Sequence, residues 1–104
     1  MDRLVHVVLI SFKPETPEET KQWIYQKYQT LEQDCGSKDA GILYWRVQEN
    51  LDLRKGVHLV EVAVYTDNDA LQAFRNHPKH KEITDVLRDV ADWQVGDITC
   101  PFPL

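Results

Sequence analysis

LVHVVLISF, at residues 4–12, is an almost unbroken run of apolar, largely β-branched residues, and a Lys-Pro pair closes it. A run of this kind predicts a β-strand that is covered on both faces. Alternate residues of a strand point to the same side. One face of this strand therefore carries His6, Val8, Ile10 and Phe12.

The sequence TPEE, which follows this strand, predicts the start of a helix. Thr16 can cap it, Pro17 suits the first helical position, and Glu19 completes a capping box. Apolar residues then recur at spacings of three and four, so we expect the helix to continue to about Gln33, before Gly36.

A second helix should begin after Asp67 or Asn68, either of which can cap it. Pro78 interrupts its pattern, because proline lacks the backbone N–H that a helix interior requires. We expect a helix in two pieces, the second of which ends near Val90.

Three further strands complete the pattern. Residues 40–47 and 57–65 should pair antiparallel, because the polar connection between them is too short for a crossover helix. A weaker strand is predicted at residues 93–99. The order β-α-β-β-α-β predicts one α+β domain over residues 1–104, of the ferredoxin-like kind, with a four-stranded antiparallel sheet and both helices on one face.

The other face of the sheet would have no helix to cover it. We expect that face to carry Glu61, as a dimer contact or rim group, within an apolar set made of Val57, Leu59, Ala63 and Tyr65. A monomer rarely exposes such a patch. The sequence therefore predicts a homodimer that packs two sheets face to face.

The composition is that of an ordinary globular domain, and it argues against several classes of partner. The 104 residues are 42% hydrophobic and 28% charged, with a formal net charge of −5 and no basic cluster. Binding of nucleic acid through its phosphates is therefore not expected. We see no signal peptide or membrane-spanning run, and expect a soluble, cytoplasmic protein in which Cys35 and Cys100 are structural thiols.

Four histidines are the residues best suited to chemistry. His6 and His58 should be cross-strand neighbours on one face of the sheet, while His77 and His80 flank the break at Pro78. Two or three imidazoles that converge in a cavity would form an acid-base site. The alternative is that they are hydrogen-bonded core or helix-capping groups. We predict no metal site, because Pro78 distorts the spacing of His77 and His80 and no carboxylate joins them.

Several of these motifs resemble the stress-responsive dimeric α/β-barrel (Dabb) family. They are HVVLISFK at residues 6–13, VHLVEV at 57–62 and HPKH at 77–80, and the similarity extends from about residue 4 to residue 99. The resemblance implies that two ferredoxin-like subunits form a barrel. The best understood member that the chain resembles is plant olivetolic acid cyclase, and another branch of the family contains a plant hydroxynitrile lyase.

The resemblance also implies a site in a cavity between sheet and helices. It assigns the catalytic histidine to His80, supported by His6 and His58 and by the helix tyrosine Tyr28. Phe74, His77 and Asp97 would contact the substrate; Phe74 stands where the cyclase has a tyrosine, so one hydroxyl is absent.

We therefore expect a cofactor-independent lyase or cyclase that uses histidines for proton transfer on a ketide-like or aromatic substrate. The alternatives are a non-catalytic stress-responsive barrel protein and a small-molecule binding module.

Overall fold

A computed structural model describes residues 2–103 of the chain. The elements follow in the order β1 (Asp2–Phe12), α1 (Glu18–Asp34), a short 3-10 helix (Ser37–Ala40), β2 (Ile42–Glu49), β3 (Leu59–Tyr65), α2 (Asn68–Arg75), α3 (Pro78–Val90) and β4 (Ala91–Pro101). The four strands form one antiparallel sheet in the order β2-β3-β1-β4. The predicted ferredoxin-like α+β fold is confirmed, with β1 and β3 at its centre.

The core lies between one face of the sheet and the helices. Strand β1 contributes Val8, Ile10 and Phe12, all at most 9% exposed, as the alternation in its sequence predicts. The helices contribute their apolar stripes, and the largest fully buried side chains among them are Ile24, Leu31, Leu71, Ile83 and Leu87.

The predicted assignment of the two faces of β3 is wrong. Leu59, Ala63 and Tyr65 are at most 4% exposed and belong to the core beneath the helices. Val60 and Val62, which point the other way, are half-buried on the helix-free face. Both of these sets are apolar, so the covered face is decided by the register of the pairing with β1. The sequence predicts that β1 and β3 are neighbours but does not give this register.

The predicted capping box at the start of α1 is also wrong. The hydroxyl of Thr16 donates instead to the carbonyl oxygens of Lys13, at 2.7 Å, and Val90, at 3.0 Å. No side chain caps the helix, which begins at Glu18. Thr16 thereby ties the β1–α1 connection to the end of α3.

The predictions for the second helix are confirmed. Asp67 caps α2 by accepting a hydrogen bond from the backbone N–H of Ala70 at 2.9 Å. The helix ends at Arg75, and α3 begins at Pro78. His77 caps α3, because its Nδ1 accepts from the backbone N–H of Lys79 at 3.1 Å.

Both cysteines are free thiols, and Cys35 is buried. No helix within residues 2–103 is long and apolar enough to cross a membrane.

We predict that two left-handed glycines differ sharply in their tolerance of alanine. Gly41 (φ 82°) enters β2, and a Cβ there would lie 2.6 Å from Thr66 Oγ1 and 2.8 Å from Ala70 Cβ. Gly56 (φ 76°) has nothing within 4 Å of such a Cβ. Gly56→Ala should lower the free energy of unfolding in urea by about 1–2 kcal/mol, the cost of a left-handed residue. Gly41→Ala should lower it by roughly 3 kcal/mol or more, since overpacking adds to that cost. Equal losses would show that the junction between β2 and α2 is loosely packed.

Candidate active site

A cavity of about 230 Å³ lies between the sheet and the helices, beside β4. The helices leave part of β4 uncovered there, so that Trp93 and Val95 are 38% and 47% exposed. Six elements line the cavity, namely β1, β3, β4 and the three α-helices. The lining residues are His6, Val8, Tyr28, Glu61, Arg75, His80, Thr84, Leu87, Trp93 and Val95.

His6 connects two carboxyl groups. It lies opposite Asp97 of β4, and its Nδ1 is 2.5 Å from Asp97 Oδ1. Its Nε2 is 3.5 Å from Oε2 of Glu61, on the neighbouring strand β3. His6 is 4% exposed and Glu61 3%, whereas the side chain of Asp97 is 36% exposed. The three groups form a continuous line from the interior to the surface.

Glu61 is a buried acid that keeps its proton at neutral pH. Removal from water disfavours its charged form and raises the pKa of Glu61 to about 8; the positive charge of Arg75 opposes this shift and the negative charge of Asp97 adds to it. Its Oε2 has no hydrogen-bond partner within residues 2–103, since the contact with His6 lacks hydrogen-bond geometry. The prediction that Glu61 lies on the helix-free face as a dimer contact or rim group is wrong.

His80 is an uncharged imidazole on the opposite wall. It is the third residue of α3, and its ring packs edge-on against Phe74 with 4.7 Å between the ring centroids. Burial lowers the pKa of His80 to about 4, and the neighbouring positive charge of Arg75 and the imidazoles of His6 and His77 lower it further, against the effect of a backbone hydrogen bond. Its buried Nδ1 has no partner within residues 2–103. His80 can therefore accept a proton.

Tyr28 supplies a hydroxyl from α1. The side chain is 3% exposed, packs against Trp45 and lines the cavity. Burial, together with the nearby Glu61 carboxyl group, raises the pKa of Tyr28 far above its usual range. The phenol therefore stays neutral and can donate a hydrogen bond.

The prediction that His6 and His58 are cross-strand neighbours is wrong. His6 pairs with Ala63, whereas His58 precedes β3 and lies at the other end of β1. There its Nδ1 accepts a hydrogen bond from the backbone N–H of Phe12 at 2.9 Å. His58 is exposed and borders a separate surface groove, so the structure brings His6, Tyr28 and His80 together but leaves His58 outside.

The three predicted substrate contacts do not line the cavity. His77 caps α3, and Phe74 is buried behind His80, among Trp45 and Tyr65. Asp97 reaches the cavity only through His6.

The sequence reasoning missed Glu61, Arg75 and Trp93 as parts of the cavity wall. One signal was available, because Glu61 is the single charge in the alternating pattern of β3. Arg75 gave no comparable signal, since its position at the end of α2 acquires meaning only when the helices are packed. Within residues 2–103, no group of three or more His, Cys, Asp or Glu side chains is arranged to hold a metal ion.

Several solved structures share this fold over nearly their whole length. A dimeric ferredoxin-like protein of unknown function from Thermobifida fusca superposes with a TM-score of 0.80 at 14% identity, covering 95% of this chain and 92% of its own. A hydroxynitrile lyase from Passiflora edulis gives 0.78 at 13% identity, with 98% and 96% covered. SnoaB, a cofactor-independent oxygenase from Streptomyces nogalater, gives 0.72 at 17% identity, with both chains fully covered.

At these identities the likeness shows a common fold. No curated protein sequence matches the chain significantly. A family model does match: the Stress responsive A/B Barrel Domain (Dabb) model covers residues 4–100. The chain therefore belongs to the stress-responsive A/B barrel (Dabb) family.

Proposed function

We propose that this protein is a cofactor-independent enzyme that transfers protons on a small ketide-like or aromatic substrate, in a lyase or cyclase reaction. The observation that supports this proposal best is the meeting of an uncharged imidazole, His80, with two protonated acids, Glu61 and Tyr28, around one cavity. A base and acids whose environments push their pKa values apart are what acid-base catalysis requires.

The first step assigned to this site is proton abstraction by His80. The imidazole takes a proton from a carbon beside a carbonyl group or from a hydroxyl group. The electron pair of the broken C–H or O–H bond stays on the substrate, where negative charge develops on an oxygen atom. Hydrogen bonds from Tyr28 or Glu61 to the resulting oxyanion lower the barrier. An imidazole with a pKa of about 4 is a weak base in the empty cavity. Negative charge that develops on the substrate raises this pKa, so that His80 holds the proton until it returns it to the product.

The line from Glu61 through His6 to Asp97 offers a path for protons between cavity and surface. Glu61 can exchange its proton with Nε2 of His6 after a small movement, because the two groups are 3.5 Å apart. Nδ1 of His6 already contacts the partly exposed Asp97 carboxylate. In this proposal Asp97 orients His6 rather than contacting the substrate.

The related structures support catalysis by this fold without specifying the reaction. One is named a hydroxynitrile lyase and another a cofactor-independent oxygenase. Resemblance to olivetolic acid cyclase supports the cyclase alternative less well, because Phe74 packs on His80 at the position where the cyclase has a tyrosine. Tyr28 is the hydroxyl that remains available in the cavity.

We further propose that the protein is a homodimer that buries the helix-free face of the sheet. Apolar side chains cover this face, including Val7, Leu9, Val60 and Val62, and Ile98 is 63% exposed there. A related structure is described as dimeric. Two such faces packed together would bury about 800 Å² per subunit, the size of a specific interface.

We predict that His80→Ala lowers turnover by a factor of about 10² to 10⁴, the usual contribution of a general base. Two reactions should be assayed, the cleavage of mandelonitrile and solvent-deuterium exchange into small β-keto thioesters. His58→Ala is the matched control and should retain wild-type turnover, because His58 lies outside the cavity. If neither reaction is accelerated by the wild type, but the compounds bind, the protein is a binding module instead.

We predict that burial of Glu61 makes the fold less stable as pH rises. The unfolded chain releases this proton near the ordinary pKa of 4.5, whereas the folded protein keeps it to about 8. Between these values the folded state binds more protons, so the free energy of unfolding falls with increasing pH, by an amount on the order of a few kcal/mol. His80 has the opposite effect below its ordinary pKa of 6.5, because burial lowers its pKa and the folded state then binds fewer protons than the unfolded chain. Urea unfolding should therefore be compared at about pH 7 and about pH 8.5, where the wild type and the exposed variant Glu49→Gln should each lose about 1 kcal/mol and Glu61→Gln much less. An equal decline in all three would mean that Glu61 is ionised in the fold.

We predict that Val60→Lys abolishes the dimer. Val60 lies between Leu9 and Gln48 on the helix-free face, where a buried lysine would lose its hydration without gaining a partner. Light scattering should give twice the single-chain mass of 12.2 kDa for the wild type and for the surface variant Gln26→Lys, but 12.2 kDa for Val60→Lys. A monomeric wild type would refute the proposed dimer.

A further inference from the structure

Arg75 places a positive charge on the cavity wall that the protein does not neutralise. It is the last residue of α2, and its side chain is half-buried. Among residues 2–103 it forms no ion pair with an acidic side chain and donates no side-chain hydrogen bond. Within the described part of the chain, no protein group uses the five N–H donors of this half-buried guanidinium, so they can bind a ligand.

The other groups around the cavity do not supply the missing negative charge. Glu61 is the acidic residue of the cavity wall, and burial keeps it protonated at neutral pH. Asp97 stands behind His6, with which it is paired. His80 and Tyr28 are neutral for the reasons given above. The cavity wall therefore presents the cation of Arg75 together with neutral hydrogen-bonding groups.

Apart from Thr84, whose hydroxyl donates to backbone carbonyl groups of its own helix, the remaining wall of the cavity is apolar. Val8 and Leu87 are buried, while Trp93 and Val95 come from β4 and are partly exposed. These side chains offer an aromatic and aliphatic surface to the body of a ligand. The volume of about 230 Å³ corresponds to roughly eight water molecules at their liquid density. It is below the usual range for drug-sized ligands, which begins at about 300 Å³.

We infer that the ligand of this site is a small carboxylate, whose anionic group pairs with Arg75 and whose apolar body packs against Leu87, Trp93 and Val95. The binding of a carboxylate does not depend on the proposed function. Only the further statement that this ligand is a substrate rests on it. A guanidinium binds a carboxylate through two parallel N–H···O bonds, so Arg75 would fix the orientation of the molecule as well as its charge. Glu61, His80 and Tyr28 would then face the part of the molecule that reacts.

A bound carboxylate also affects His80. The positive charge of Arg75 is one of the influences that disfavour a protonated His80. A carboxylate paired with Arg75 offsets this repulsion, so His80 becomes a stronger base once the ligand is bound. Binding of the carboxylate and activation of the base are thereby linked.

The test is a binding measurement with compounds of matched shape and different charge. Calorimetric or NMR titrations at millimolar concentrations should use benzoate, neutral benzamide, cationic benzylamine, and hexanoate as a flexible carboxylate. The wild type is expected to bind benzoate or hexanoate at least ten times more tightly than benzamide or benzylamine. Equal binding of benzamide, or no binding of either carboxylate, would overturn the inference.

Variants of Arg75 make the test specific. Arg75→Gln should weaken carboxylate binding at least tenfold, and Arg75→Lys should restore part of it, because lysine keeps the charge but not the paired geometry. The matched control is Arg88→Gln, which removes an exposed arginine from α3 and should leave binding unchanged. Undiminished binding of the carboxylates by Arg75→Gln, with its fold verified by circular dichroism, would refute the role of Arg75. Should Arg75→Gln fail to fold, undiminished carboxylate binding by Arg75→Met, which keeps an apolar stem without the charge, would refute it equally.

The failure of this inference and the failure of the proposed function give different results. Carboxylate binding that depends on Arg75, without turnover of any assayed compound, would support the site and contradict the enzyme. Turnover that depends on His80, with no preference for carboxylates, would support the enzyme and contradict the anionic ligand.

Discussion

The antiparallel pairing of β1 with β3 is the interaction on which the rest of this structure depends. It sets Val8 opposite Glu61 and His6 opposite Ala63. It thereby selects one of two apolar faces of β3 for the core and takes the only charged residue of that strand into the interior. Because β1 also pairs with β4, the same strand joins Glu61, on one side of His6, to Asp97 on the other. A shift of one residue in this register would exchange the two faces of β3, so that Glu61 would no longer lie beside His6.

Burial then decides the charge states within the cavity. Glu61 retains its proton and His80 loses its own, because a charged group that leaves water without a close partner becomes unfavourable. An acid and a base that are both uncharged can coexist at close range without neutralising each other. The fold bears a cost for this arrangement, since Oε2 of Glu61 and Nδ1 of His80 have no hydrogen-bond partner within residues 2–103. Buried polar groups without partners are costly unless a bound molecule satisfies them, which is consistent with a cavity that receives a polar ligand.

The break between α2 and α3 gives the cavity its second wall. Pro78 and the His77 cap end one helix and start another, so Arg75, at the end of α2, and His80, at the start of α3, line the same cavity. Phe74 fills the space behind His80 and limits its rotation. His77, which belongs to the same HPKH sequence, serves this geometry rather than lining the cavity. The motif therefore combines one histidine that caps a helix with one that lines the cavity.

The sequence by itself determined the order of the elements, a helix cap at Asp67 or Asn68, the helix break and the position of His80 beside it, because periodicity, capping and proline chemistry act over a few neighbouring residues. It also indicated the family, through motifs that are contiguous in the chain. Only the tertiary structure decided which face of β3 is buried, that Glu61 and Arg75 belong to the cavity, and that His58 does not. These outcomes depend on strand register and helix packing between residues far apart in the chain. Both faces of β3 are largely apolar, so its local pattern does not decide which face the helices cover, and the charge of Glu61 favours the wrong one.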